Sequence, residues 1–184
     1  MKQCHKFFKI AAMSAILATA LAASSAIAGS GTVSFVATIN TSEFLLPADN
    51  CDSKIGGIGV GVGTTNLFTK KPETQTTKAV LSSFDCVSQD QYGFIFGPGK
   101  FSLTGPGGDT IFATYSGTLG FHHFDAVSNL PVFKFNDGTI FNIVGGTGVY
   151  AKAAGAGTIS GTETINQAAG TAQGSLVATG KIIY

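Results

Sequence analysis

The chain has 184 residues, 44% of them hydrophobic and only 11% charged, with eleven lysines, ten carboxylates, no arginine and no tryptophan. No basic stripe marks a nucleic-acid partner. Without arginine's planar fork, a phosphorylated or strongly anionic ligand is disfavoured.

The first residues carry an address. Lys2, Lys6 and Lys9 precede an apolar run from Ile10 to Ala23, and Ala26-Ile27-Ala28 supplies small residues at a cleavage site. This order predicts a bacterial-type signal peptide over residues 1–28, cut after Ala28, and a secreted or periplasmic protein. The apolar run is shorter than the roughly 20 residues a spanning helix needs, so no transmembrane segment is expected after cleavage. Residues 29–184 form one domain by size. Eight lysines and ten carboxylates remain in it, a formal charge of −2. Cys4 leaves with the signal. Cys51 and Cys86 then form an even pair with no Cys-x-x-Cys and no flanking histidine, which predicts a structural disulfide. A metal role would need further ligands spaced nearby, and no metal is expected.

Along the mature chain the pattern is that of strands. Val33, Phe35, Ala37 and Ile39 fall on one face, with Thr32, Ser34 and Thr38 on the other. Two expected loops follow. Pro47–Gly63 holds Cys51 and a glycine run from Gly56 to Gly63, and Thr64–Thr77 is polar. Strand patterns resume over 79–84, 92–96, 101–104, 110–118, 132–135, 139–144, 158–165 and 174–183. Asn136-Asp137-Gly138 between two of these runs predicts a hairpin turn. The fold class expected is all-β, a closed antiparallel β-barrel of about eight strands.

Chemistry-bearing residues are sparse. His122-His123-Phe124-Asp125 is the densest cluster, but adjacent strand histidines point to opposite faces and cannot share one ion. If the strand from Thr110 runs on unbroken, Tyr115, Phe121 and His123 share a face, and His123 and Tyr115 become candidate proton donors in a cavity. No Gly-x-Ser-x-Gly elbow supports a serine hydrolase. Asp109 and Asp137 read as turn residues. Glu43, Glu73 and Glu163 are scattered, and Glu163 sits in a Thr-rich alternation that reads as a solvated face. Gly145, Gly146 and Gly148 lack the Lys-Ser/Thr of a phosphate loop and the parallel βαβ unit of a dinucleotide site, so no cofactor is expected. Leu176, Ala178, Ile182 and Tyr184 alternate up to an aromatic C-terminus, a loose likeness to outer-membrane barrels without their aromatic girdles.

Three segments resemble a known group: 108–118 (Gly-Asp-Thr-Ile-Phe-Ala-Thr-Tyr-Ser-Gly-Thr), 141–153 with its Gly-Gly-Thr-Gly, and 178–184 (Ala-Thr-Gly-Lys-Ile-Ile-Tyr). Over residues 90–184 the chain is similar to small secreted bacterial proteins related to the allene oxide cyclase and dirigent β-barrels. The resemblance implies a closed barrel with an apolar interior, often in homo-oligomers. Val149 replaces the basic residue usual after the Gly-Thr-Gly, so the fold carries over and the chemistry does not. The expected function is non-catalytic binding of a small hydrophobic ligand, lined by Phe94, Phe96, Tyr115, Phe121 and His123, with no catalytic residue assigned. The alternatives are an isomerase or cyclase on an apolar substrate, and an extracellular surface or matrix protein.

Overall fold

Period-two alternation builds nearly every element of the structure, a computed structural model that describes residues 31–184. The expected signal peptide lies outside the described residues. The strands are β1 (Thr32–Pro47), β2 (Ile55–Thr65), β3 (Thr77–Gln89), β4 (Gly93–Thr104), β5 (Thr110–Phe124), β6 (Pro131–Phe135), β7 (Ile140–Gly146), β8 (Ala154–Asn166) and β9 (Thr171–Ile183). A 3-10 turn, Gly148–Tyr150, joins β7 to β8, and there is no α-helix among the described residues.

All nine strands belong to one antiparallel sheet, and its hydrogen bonds close in a ring. Each strand from β1 to β5 pairs with the next, β8 pairs with β9, and β9 returns to β1. The count exceeds the expected eight because β6 and β7 share one place. Both pair with β5 on one side and with β8 on the other. They run end to end in the same direction and do not pair with each other. The expected hairpin at Asn136-Asp137-Gly138 is therefore a turn that interrupts one stave, anchored by Asn136 N–H donating to Thr118 O at 2.9 Å. Positive φ at Gly138 still makes the turn possible.

On most strands the inner face carries the apolar half of the alternation, and β2 is the exception. Phe35, Ala37 and Ile39 point inward as expected, and Phe141, 0% exposed, is the central side chain. Its ring lies 5.4 Å from Phe35 and 6.0 Å from Phe101, centroid to centroid. Phe141 fits because Gly157 and Gly180, partners across β8 and β9, leave the wall bare beneath it. Burial of one such ring is worth about 1.5–3 kcal/mol.

One end of the ring is capped. The segment 66–76 is the expected polar loop without its ends, and Asn66 fastens it. Its Oδ1 accepts from Val36 N–H at 2.8 Å, and its Nδ2 donates to Ser34 O and Pro72 O at 3.0 and 2.9 Å. Phe68 N–H donates to the Tyr150 hydroxyl at 3.0 Å, and the Tyr150 ring stacks 4.6 Å from Tyr184.

The other expected loop is mostly strand. Only 48–54 leave the sheet, and Ile55–Thr65 forms β2 between β1 and β3. Cys51, in the short connection, bonds to Cys86 on β3 as expected, with Cα atoms 5.4 Å apart and a sequence separation of 35.

Candidate functional site

The glycines of β2 explain the interior. Ile58, Val60 and Val62 face outward and are exposed, while Gly57, Gly59 and Gly61 are buried on the inner face. Where a glycine faces inward, side chains from the strands on either side can lean across it. Glu43 on β1 and Asp85 on β3 both do so at Gly57, where their carboxylate oxygens occupy the space a Cβ would take. Tyr115 on β5 and Asp85 likewise meet over Gly99 on β4. Glu163 on β8 and Thr41 on β1 meet over Gly174 on β9. Polar side chains and glycines thus alternate from strand to strand. The result is a belt of Tyr115, Asp85, Glu43 and Glu163 about halfway along the ring.

The belt faces an internal cavity of about 80 Å³. Above and below it the walls are apolar, among them Phe35, Phe94, Phe96, Phe101, Leu119 and Phe135. Phe96 and Phe101 hold the Tyr115 ring between them, at 5.9 and 5.8 Å. No lysine or histidine among the described residues lines the cavity.

Three carboxyl groups in so apolar a place cannot all ionise at once. Burial, then the Asp85 charge, pushes Glu163 up to about 7. Asp85 is pushed up to about 6 by burial, against the opposing pull of hydrogen bonds from the Tyr115 hydroxyl and its own backbone N–H. Glu43 rises furthest, to about 9, through burial and then the charges of Asp85 and Glu163. The Tyr115 phenol is held well above its ordinary value by burial and by Asp85, so it keeps its proton and donates. At neutral pH the three groups therefore carry fewer than three charges between them, with Asp85 raised least and Glu43 most. Asp85 is only 4% exposed, and its Oδ1 is fully buried with no hydrogen-bond partner among the described residues. A buried acceptor left unpaired costs about 1–3 kcal/mol, and more when charged.

The structure brings Phe94, Phe96 and Tyr115 together on the cavity wall. Phe121 and His123 lie elsewhere. Phe121 keeps its register with Phe133 but lies one residue past Gly120, where the pairing of β5 with β4 ends; the register shift that follows, between Phe121 and His123, breaks the alternation expected for His123. Phe121 is 53% exposed and packs on Phe124 and Phe133, while His122 and His123 are both exposed. Glu163 is the opposite correction. Its expected solvated position is 7% exposed, because the flanking Thr162 and Thr164 take the outer half of the alternation and the glutamate takes the inner. Glu43 and Asp85 also belong to the site, and no motif announces them. The available signal was the spacing of inward glycines on neighbouring strands.

No family model matches the sequence, and neither a characterised protein nor a solved structure matches it.

Proposed function

We propose that this chain is an exported binding protein whose ring of strands acts as a closed β-barrel around a small, mostly apolar ligand with one polar end. The observation that carries this reading is the cavity itself, with apolar walls around the unpartnered Asp85 Oδ1. A water-sized position needs about 10–15 Å³, so 80 Å³ suits a ligand of about six non-hydrogen atoms. The Cys51–Cys86 disulfide is compatible with an extracellular or periplasmic setting. The resemblance to allene oxide cyclase and dirigent barrels enters this reading as a likeness of architecture.

Cyclopentanol is a suitable neutral probe. At a hundredfold excess over its Kd it stabilises by about 2.7 kcal/mol, a rise of about 5–11 °C in melting temperature for a domain of this size. No shift with cyclopentanol or with its amine counterpart would refute the reading.

A second reading, an isomerase or cyclase in the same cavity, is favoured by one side chain. The Tyr115 hydroxyl keeps its proton inside apolar walls, where it can donate a hydrogen bond to negative charge developing on a substrate oxygen. Turnover of an added apolar substrate that disappears in Tyr115→Phe would move the assignment to this reading.

A further inference from the structure

We propose that the belt of Asp85, Glu43 and Glu163 binds a small organic ammonium ion, so that the ligand's polar end is a cation. This rests on the binding reading above and names the ligand class. The belt gathers three carboxyl groups from β1, β3 and β8 around one cavity, and no cationic side chain among the described residues faces them. In proteins a buried anion is normally paired, and leaving it alone is costly. Asp85 Oδ1 has no hydrogen-bond partner among the described residues, and the Glu43 carboxyl beside it over Gly57 brings no positive charge.

The geometry selects the kind of cation. The carboxyl groups stand on strands separated by glycine-bearing neighbours, and no three His, Cys, Asp or Glu side chains among the described residues gather at metal-ligating range. An ammonium group has three diverging N–H donors and tolerates such spacing. Its carbon skeleton fits the apolar wall, where Phe96, Phe101 and Tyr115 also offer ring faces that attract a cation. The titratable groups lining the cavity are Asp85, Glu43, Glu163 and Tyr115. As pH rises through about 6 and 7, Asp85 and then Glu163 lose their protons. An alkylammonium stays charged to about pH 10, so binding tightens across that window.

The test compares cyclopentylamine with cyclopentanol, matched in shape, by calorimetric titration of the disulfide-intact protein at pH 5 and pH 8. The expected result at pH 8 is an amine at least tenfold tighter than the alcohol. At pH 5 that ratio should fall below threefold. It should also fall below threefold at pH 8 in Asp85→Asn, and the pH comparison on the native sequence decides the matter if that variant does not fold. Equal binding of amine and alcohol at pH 8 overturns the ammonium site and leaves the apolar-ligand reading standing. Failure of both probes to bind overturns both. Amine preference that survives unchanged at pH 5 and in Asp85→Asn overturns the role of the belt.

Discussion

Replacing Glu163 by glutamine should stabilise the protein at pH 8 and leave it nearly unchanged at pH 4. The amide keeps the volume and most of the shape of the acid, so packing against Gly174 is retained while the ionisable group is lost. The unfolded chain ionises this carboxyl from about its ordinary value of 4.5, whereas the folded chain holds the proton to about 7. Between those values the unfolded state sheds a proton that the native state keeps, so native stability falls as pH rises, and the loss is complete above about pH 7. At about 1.36 kcal/mol per pKa unit the shift amounts to about 3 kcal/mol. Glu163→Gln should recover that amount at pH 8, about 6–12 °C in melting temperature. Urea denaturation of both proteins at pH 4, 6 and 8 measures it. A variant no more stable than the parent at pH 8, or a parent whose stability climbs from pH 4 to 8, would refute the account of Glu163 as a costly buried acid.

Two further outcomes follow from the same geometry. Replacing Cys51 and Cys86 together by alanine should cost about 4 kcal/mol through the greater freedom of the unfolded chain, with reductant then destabilising the native sequence alone; an undiminished denaturation midpoint would show that the disulfide constrains little. Tyr115→Phe should raise the titration midpoint of Asp85 above about 6, since it removes a hydrogen bond to the charged form; carbon NMR of the side-chain carboxyl reports it, and an unmoved midpoint would deny the contact.

Where apolar and polar residues alternate plainly, as from Val33 to Ile39, the sequence reads directly as a half-buried strand, and the cysteine pair reads directly as a disulfide. The misreadings have physical causes. Glycines 57, 59 and 61 carry the inner half of an alternation whose outer half is Ile58, Val60 and Val62. Taken one residue at a time, that run is a flexible loop; only the strands beside it give the bare positions a purpose. Asn136-Asp137-Gly138 makes the tight turn its residues favour, but what the flanking strands pair with is settled by β5 and β8, far away in sequence. At His122 a register shift cancels the face assignment that simple counting supplies. Glu163 illustrates the deepest limit: its alternation with Thr162 and Thr164 puts it on the face of Ile165, but the room for a buried acid is made by Gly174 across the sheet.

The seam between β1 and β9 sets how this molecule must be assembled. Strands β1 to β5 form a meander of neighbours and β8–β9 a hairpin, all joined by short connections. The seam instead brings together residues roughly 140 positions apart, such as Thr38 and Val177. Such distant partners meet late, because loop-closure entropy is spent before any contact repays it. Until they meet, β1 offers newly made chain an open hydrogen-bonding margin with Val36 and Phe44 exposed alongside it. Slow refolding that yields aggregates at high concentration, and not a fast two-state return, is the kinetic signature of that last closure.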